Sequence, residues 1–125
     1  KTRLYRENGL KMGLGSHVAG GETLSLYSVM KEAIKMSKMY SYYVDNSKAP
    51  LTFSEVFYLA TKGGGEFFSN TGSFEDGYEF DAVVLNNNTQ YAYDLSIKER
   101  MERAVYTNED LKGICTKFVK GKKII

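Results

Sequence analysis

The sequence has 125 residues, of which 42% are hydrophobic, which is enough for one folded domain with a moderate core rather than a disordered chain. The 17 basic and 15 acidic residues give a net charge of +2, and they are too dispersed for the dense basic face of a nucleic-acid-binding protein. A single cysteine, Cys115, excludes an internal disulfide, and no run approaches the about 18 apolar residues of a membrane span, so we expect a soluble, cytoplasmic protein that binds neither membranes nor nucleic acid.

The first predicted element is a short buried strand over residues 10–14. Gly15 and Ser16 end this apolar run, and a second glycine pair at residues 20–21 predicts that a tight loop follows. The loop contains His17, which is the only histidine of the chain. A loop after a buried strand is where chemistry could take place.

Two amphipathic helices are predicted next. Over residues 23–44, apolar residues recur at spacings of three and four, and Thr23 or Ser25 can cap the start. The methionines of this helix lie at core spacing, so we interpret them as core filler rather than as a binding surface. After Pro50, residues 52–55 match a capping box, which predicts a second helix over residues 53–61.

A triple glycine at residues 63–65 follows this helix. We interpret it as a left-handed helix cap followed by a short helical turn over residues 66–68. A phosphate-binding loop would require a Lys-Ser or Lys-Thr pair after the glycines, and the sequence has none there. The triple glycine is therefore predicted to be structural.

The remaining elements are shorter. A turn-rich connection over residues 71–78 leads to a predicted strand over residues 80–85, which Asn86-Asn87-Asn88 ends. A third amphipathic helix is predicted over residues 95–106, with a charged, solvated side. Residues 114–119 and 123–125 flank Lys120-Gly121-Lys122 and predict a terminal β-hairpin.

Three blocks of sequence, taken in order, resemble the end of the amidohydrolases of the guanine deaminase, chlorohydrolase and aminohydrolase group. Residues 13–21 (GLGSHVAGG) are similar to the family segment G-[LI]-G-[ST]-D-x-A-G-G, which ends the eighth barrel strand. Residues 51–65 resemble the family's L-T-x-x-E helix with its A-T-x-G-G ending, and residues 72–85 resemble the G-x-x-A-D strand that follows. The closing Lys120-Gly121-Lys122-Lys123 resembles the family's final hairpin, so the resemblance covers nearly the whole chain.

This resemblance implies an α/β fold, namely the carboxy-terminal fragment of a TIM-barrel amidohydrolase. Residues 1–70 would supply the last barrel strand and helices, and residues 71–125 part of the small β-sandwich subdomain with one helix. A complete barrel takes about 250 residues. Because an unpaired strand at residues 10–14 would be a template for another chain, we expect a homo-oligomer.

The resemblance also implies a chemistry. In this family a metal ion, usually zinc, activates a water molecule that attacks a ring carbon, and an aspartate that ends the eighth strand binds the metal and accepts the proton. The sequence of residues 19–21, 24–25 and 67–84 is most similar to the guanine deaminase branch of the group. This similarity implies guanine as substrate and xanthine and ammonia as products.

His17 occupies the position of that aspartate, so it is the candidate catalytic and metal-binding residue, and it departs from the family pattern. An imidazole can bind zinc, but it is not an anionic proton acceptor. A catalytic zinc site takes about three protein ligands. We therefore expect zinc in the full-length enzyme, none in this fragment alone, and no activity of the fragment alone.

Two alternatives remain open: a non-catalytic binding or assembly module whose active site is lost, and an aminohydrolase that acts on another nitrogen heterocycle. Three other carboxylates, those of Glu22, Asp76 and Asp81, are not expected to complete the site. Asp81 heads a strand, and we expect it to accept hydrogen bonds from backbone amides instead.

Overall fold

The computed structural model describes residues 2–86, 94–108 and 112–125. These ranges contain five α-helices, which are α1 (Thr2–Glu7), α2 (Leu26–Tyr43), α3 (Phe53–Ala60), α4 (Lys62–Gly65) and α5 (Ile97–Thr107), and a single-turn 3₁₀ helix, Glu66–Phe68. They also contain three strands, β1 (Ala82–Leu85), β2 (Ile114–Val119) and β3 (Lys122–Lys123), in one sheet of order β1-β2-β3. None of the described helices is long and apolar enough to cross a membrane.

The core lies where α2, α3 and α5 meet. Met30 and Ile34 of α2 and Val105 of α5 are buried in one cluster. Three residues before and within α3 complete that cluster, namely Leu51, Phe53 and Val56. Each large side chain buried in this way stabilises the fold by about 1.5–3 kcal/mol. Val105 lies in the predicted segment 71–125 and the other buried residues of this cluster lie in the predicted segment 1–70, so one core joins the two segments. The division at residue 70 stays a prediction.

Helix α2 confirms the predicted amphipathic helix, with bounds a few residues inside the predicted ones. Ser25 occupies the N-cap position without a capping bond from its side chain, and Thr23 Oγ1 instead accepts a hydrogen bond from Ser25 N at 3.0 Å. Met30 is buried as predicted, whereas Met36 and Met39 are exposed. The interpretation as core filler is confirmed for Met30 and is wrong for the other two in this chain, because they lie on the helix face away from the core.

Helix α3 begins with the predicted capping box. Thr52 Oγ1 accepts a hydrogen bond from Glu55 N at 3.3 Å, and Glu55 Oε2 accepts one from Thr52 N at 2.8 Å. The same carboxylate holds helix α1, since Arg3 and Arg6 each lie 2.9 Å from one of its oxygens. Glu55 therefore stabilises the start of α3 and fixes α1 against it.

The prediction of a left-handed cap at the triple glycine is wrong. Residues 63–65 belong to the right-handed helix α4, and Gly65 has φ −63°. Glycine is needed there for space, because a Cβ atom on Gly65 would lie 2.0 Å from the carbonyl oxygen of Thr71, and one on Gly63 would lie 2.8 Å from that of Met12. The glycines thus allow neighbouring backbone segments to approach α4 closely.

The predicted strand over residues 10–14 is also wrong for the structure described. This segment has no strand partner within the described ranges and lies against the ends of α3 and α4 instead. Leu14 N donates to Leu59 O at 2.8 Å, and a Cβ on Gly13 would lie 2.7 Å from the Cα of Gly64. A strand needs a neighbouring ladder, whereas these backbone groups bind a helix end. The contact with Gly64 fixes the path of the chain into the loop that follows.

The predicted strand and hairpin near the end of the chain are confirmed. Strand β1 pairs antiparallel with β2, with an irregularity in register between Val84 and Leu85. Strands β2 and β3 are joined by Lys120 and Gly121, which have φ of 50° and 75°, as a two-residue turn of type I′ requires. Asp81 Oδ1 accepts a hydrogen bond from Lys120 N at 2.8 Å, which confirms the predicted backbone role of this carboxylate.

Helix α5 confirms the third predicted helix within two residues at its start and one at its end. Its capping box has Ser96 Oγ accepting from Glu99 N at 3.3 Å and Glu99 Oε2 accepting from Ser96 N at 2.8 Å. The predicted end of β1 at Asn86-Asn87-Asn88 lies partly outside the described residues, because Asn87 and Asn88 are not among them.

Candidate functional site

The loop that carries His17 is a tight turn. His17 O accepts hydrogen bonds from Gly20 N at 2.8 Å and from Gly21 N at 2.6 Å. His17 itself has φ 49° and Ala19 has φ 67°, so both lie in the left-handed region. Asn, Asp and His are the side chains most often found there besides glycine. The backbone at position 17 therefore suits a histidine as well as the aspartate of the family pattern.

His17 is exposed and lies on the wall of an open groove of about 860 Å³. The loop side of the groove also contains Ser16, Gly21 and Glu22. The opposite side is formed by α2, with Tyr106 of α5 beside it. The groove is open to solvent.

The side of the groove formed by α2 carries both positively and negatively charged side chains. Its charged residues are Lys31, Glu32, Lys35 and Lys38. Lys35 Nζ lies 3.1 Å from Glu32 Oε1, in an exposed pair that contributes little stability. Lys31 Nζ lies 5.9 Å from the centre of the Tyr106 ring, and burial lowers the pKa of Lys31. The wall that faces the His17 loop is thus mainly basic.

The described residues do not by themselves fit a catalytic metal. Within residues 2–86, 94–108 and 112–125, no three His, Cys, Asp or Glu side chains lie close enough together to hold an ion. Glu22 shares the groove with His17, whereas Asp76 and Asp81 do not line it. Because a catalytic zinc takes about three protein ligands, His17 could supply one donor, and the described part of the chain places no complete set of ligands beside it.

Sequence reasoning singled out His17 and missed its surroundings. The lysines of α2 appear in the sequence only as the polar side of an amphipathic helix, and nothing there indicates that they face the loop at residues 15–23. The packing of Gly13 on Gly64, which directs the chain into that loop, was equally hidden. The glycine pair at residues 20–21 was the one available signal of a crowded turn.

The amidohydrolase family model matches residues 2–123, so this chain belongs to the amidohydrolase family. Its relatives include guanine deaminases. That of Dictyostelium discoideum is 32% identical over 131 residues, which cover 98% of this chain and 29% of that protein. A probable guanine deaminase of Schizosaccharomyces pombe is 30% identical over 98% of this chain and 25% of its own length. The human enzyme is 40% identical over 80 residues, or 62% of this chain.

Solved structures agree. A guanine deaminase of C. acetobutylicum, with guanine bound in its active site, superimposes with a TM-score of 0.91 at 40% identity, over 99% of this chain and 29% of that one. The E. coli guanine deaminase superimposes with a TM-score of 0.81 at 24% identity and supports the fold alone. The predicted fold class and family resemblance are therefore confirmed, and this chain spans about 29% of the length of these proteins.

Proposed function

We propose that this chain is the carboxy-terminal part of a guanine deaminase, which hydrolyses guanine to xanthine and ammonia. The observation that carries the proposal is the match at 40% identity and TM-score 0.91, over 99% of this chain, to a guanine deaminase with guanine in its active site. The activity would belong to the full-length protein, since this chain spans only 29% of such an enzyme. The groove beside His17 would be this chain's share of the active site.

The full-length enzyme would contain zinc, as the family resemblance implies. His17 would contribute one nitrogen donor to the site, at the position where the family pattern has an aspartate. About two further protein ligands would have to come from outside this chain. A neutral imidazole can donate or accept a proton but carries no negative charge. The histidine would therefore take over the metal-binding role of the aspartate more readily than its role as an anionic base.

The test is an assay of the full-length protein on guanine, adenine and cytosine, with xanthine and ammonia as readouts. We expect guanine to be the substrate, and we expect His17→Ala to lower kcat by about 100-fold. Lys122→Ala, at an exposed residue of β3, is the matched control and should leave kcat unchanged. Turnover of another ring would favour the alternative aminohydrolase. A folded protein inactive on every ring would favour a non-catalytic module.

His17→Asp in the same protein tests the departure from the family pattern. The variant restores a carboxylate at the loop position where the family has one, so we expect kcat to rise. Equal activity of the two forms would contradict a requirement for a carboxylate there.

The 125-residue chain by itself is proposed to be inactive. The expected lack of activity is supported by the metal-binding side chains present, because the described residues include no cluster of three of them. Purified chain should release no ammonia from guanine when zinc is added. Zinc-dependent release of ammonia by the chain alone would contradict the proposal.

A cytoplasmic homo-oligomer is proposed as well. The lone exposed Cys115 supports a reducing compartment, and exposed apolar side chains such as Leu10, Phe68 and Phe74 would be covered by the rest of the full-length protein or by another copy. Sedimentation of the full-length protein at high concentration should give a dimer or larger species. A monomer at every concentration would contradict the oligomer.

A further inference from the structure

We infer that Gly20 is the residue that positions the imidazole of His17, because the ring lies in the space that a side chain at position 20 would occupy. The inference rests on the proposed function, because the position of the His17 ring affects activity only if His17 belongs to the active site. Gly20 would be a positioning residue, which acts on the groove through His17.

The contact between the two residues is close. A Cβ atom built on Gly20 would lie 2.2 Å from both Cε1 and Nδ1 of His17 and 3.2 Å from Nε2. Carbon atoms do not approach a ring at 2.2 Å without a clash. The imidazole therefore occupies the space that a Cβ of residue 20 would fill, and any other residue there would force it to another position.

Backbone conformation does not explain the glycine. The left-handed positions of this turn belong to His17, with φ 49°, and to Ala19, with φ 67°. Gly20 is not among the residues with a positive φ. Gly20 therefore does not use the left-handed freedom of glycine, and the group that a Cβ there would meet is the ring of His17.

Two other glycines of the same loop provide comparisons. A Cβ on Gly21 would meet a backbone atom, Ser16 O, at 2.1 Å, so substitution there would distort the turn itself. A Cβ on Gly15 would meet nothing within 4 Å. Gly15→Ala is therefore the matched control for Gly20→Ala: it makes the same change in the same loop, without the contact.

The test is proton NMR of the chain, in which His17, as the only histidine, gives a single set of imidazole signals. In the unmodified chain we expect a nuclear Overhauser effect between the ring protons and the α-protons of Gly20. Gly20→Ala should shift the ring signals while the circular dichroism stays unchanged, because an exposed side chain can rotate away. Gly15→Ala should leave the ring signals in place.

Unchanged ring signals in Gly20→Ala would overturn the inference, and so would a missing Overhauser effect in the unmodified chain. The Overhauser measurement needs no variant, so it decides the matter even if Gly20→Ala fails to fold.

The full-length protein separates this inference from the proposed function. We expect Gly20→Ala to lower activity on guanine about 10- to 100-fold, as is usual for residues that orient a ligand side chain, and Lys122→Ala, at an exposed residue of β3 outside the groove, to have no effect. If the ring moves and activity stays the same, the positioning role stands and the proposed role of His17 fails. If activity falls while the ring stays in place, the positioning role fails.

Discussion

The helical part of this chain and its sheet are stabilised in different ways. Among the described residues, the buried hydrophobic side chains lie in α2, α3 and α5 or, in the case of Leu51, just before α3. The strands contribute none of them, and Val83 and Val84 of β1 are about half exposed. The helices therefore hold a core of their own, whereas the sheet is stabilised by backbone hydrogen bonds, by its turn and by the contact of Phe118 with Phe80, whose ring centres lie 5.5 Å apart. A small sheet with both faces partly open is marginally stable unless something packs on it.

Glycine has a different use in the two parts. Gly65 of α4 has an ordinary helical φ and is crowded by the backbone at Thr71. Gly121 of the hairpin has φ 75°, and a Cβ there would have nothing within 4 Å. The helical part thus uses glycine for close packing and the sheet uses it for a backbone conformation, which teaches that a glycine pattern alone does not reveal which of the two is required.

The largest expected effect is that of Gly65→Ala. The added methyl carbon would lie 2.0 Å from Thr71 O, and neither backbone can yield without disturbing the packing. We expect the free energy of unfolding to fall by about 3 kcal/mol in urea denaturation. Gly15→Ala, which adds a methyl group in open space, is the control, and a loss for Gly65→Ala no larger than that for Gly15→Ala would contradict the packing role.

The second prediction compares two valines. Val56 is 0% exposed in the helical core and Val83 is 50% exposed in β1. We expect Val56→Ala to lower the free energy of unfolding by about 2 kcal/mol, because it leaves a cavity. Val83→Ala should cost no more than about 0.5 kcal/mol. The free energy of unfolding is measured by chemical denaturation. Equal losses for the two variants would mean that Val83 is packed as tightly as Val56.

The third prediction tests the hairpin turn. Gly121→Ala meets no steric neighbour, so its effect is that of an L residue forced into a left-handed conformation, about 1 kcal/mol. Lys120 has φ 50°, and Lys120→Gly should therefore not destabilise the chain. Thermal unfolding of the two variants is the measurement, and a Gly121→Ala variant as stable as the unmodified chain would exclude a type I′ turn.

The smallest expected effect concerns the two capping boxes. Burial opposes ionisation of Glu55, but hydrogen bonds from Thr52 and Arg3 and the charge of Arg3 outweigh it and lower the pKa of this carboxyl. Glu55→Gln should cost about 0.5–1 kcal/mol at neutral pH. The pKa of Glu99 is also lowered, by hydrogen bonds from the Ser96 side chain and backbone, but that carboxylate has no arginine partner in the described structure, so Glu99→Gln should cost less.

This prediction has a definite pH dependence. Because the pKa of Glu55 is lower in the folded chain than in the unfolded one, its stabilisation is present above the unfolded pKa. It is lost as the pH falls through the folded pKa. The difference in unfolding free energy between the unmodified chain and Glu55→Gln should therefore shrink in acid. A difference that grows on acidification would contradict the assigned direction.

Much of the fold could be predicted because its signals are local. The helices at Leu26–Tyr43 and Ile97–Thr107 follow from apolar spacing, the helix at Phe53–Ala60 follows from its capping box, and the hairpin follows from Lys120-Gly121. The segment at residues 10–14 could not be predicted, because an apolar run does not say whether its backbone binds a strand or a helix end. The candidate site was predicted as far as one residue, His17, whose neighbours across the groove come from another element.

By itself, the sequence determined the family, the capping box at Thr52, the helix periods and the presence of a single imidazole, because each of these depends on the order of residues along the chain and on no contact between distant segments. Only the tertiary structure decided that the triple glycine allows the backbone at Met12 and Thr71 to pack closely, and that α2 presents its lysines to the His17 loop. Those contacts join residues brought together by the packing of helices, and the distances between their atoms are set by that packing rather than by any local preference.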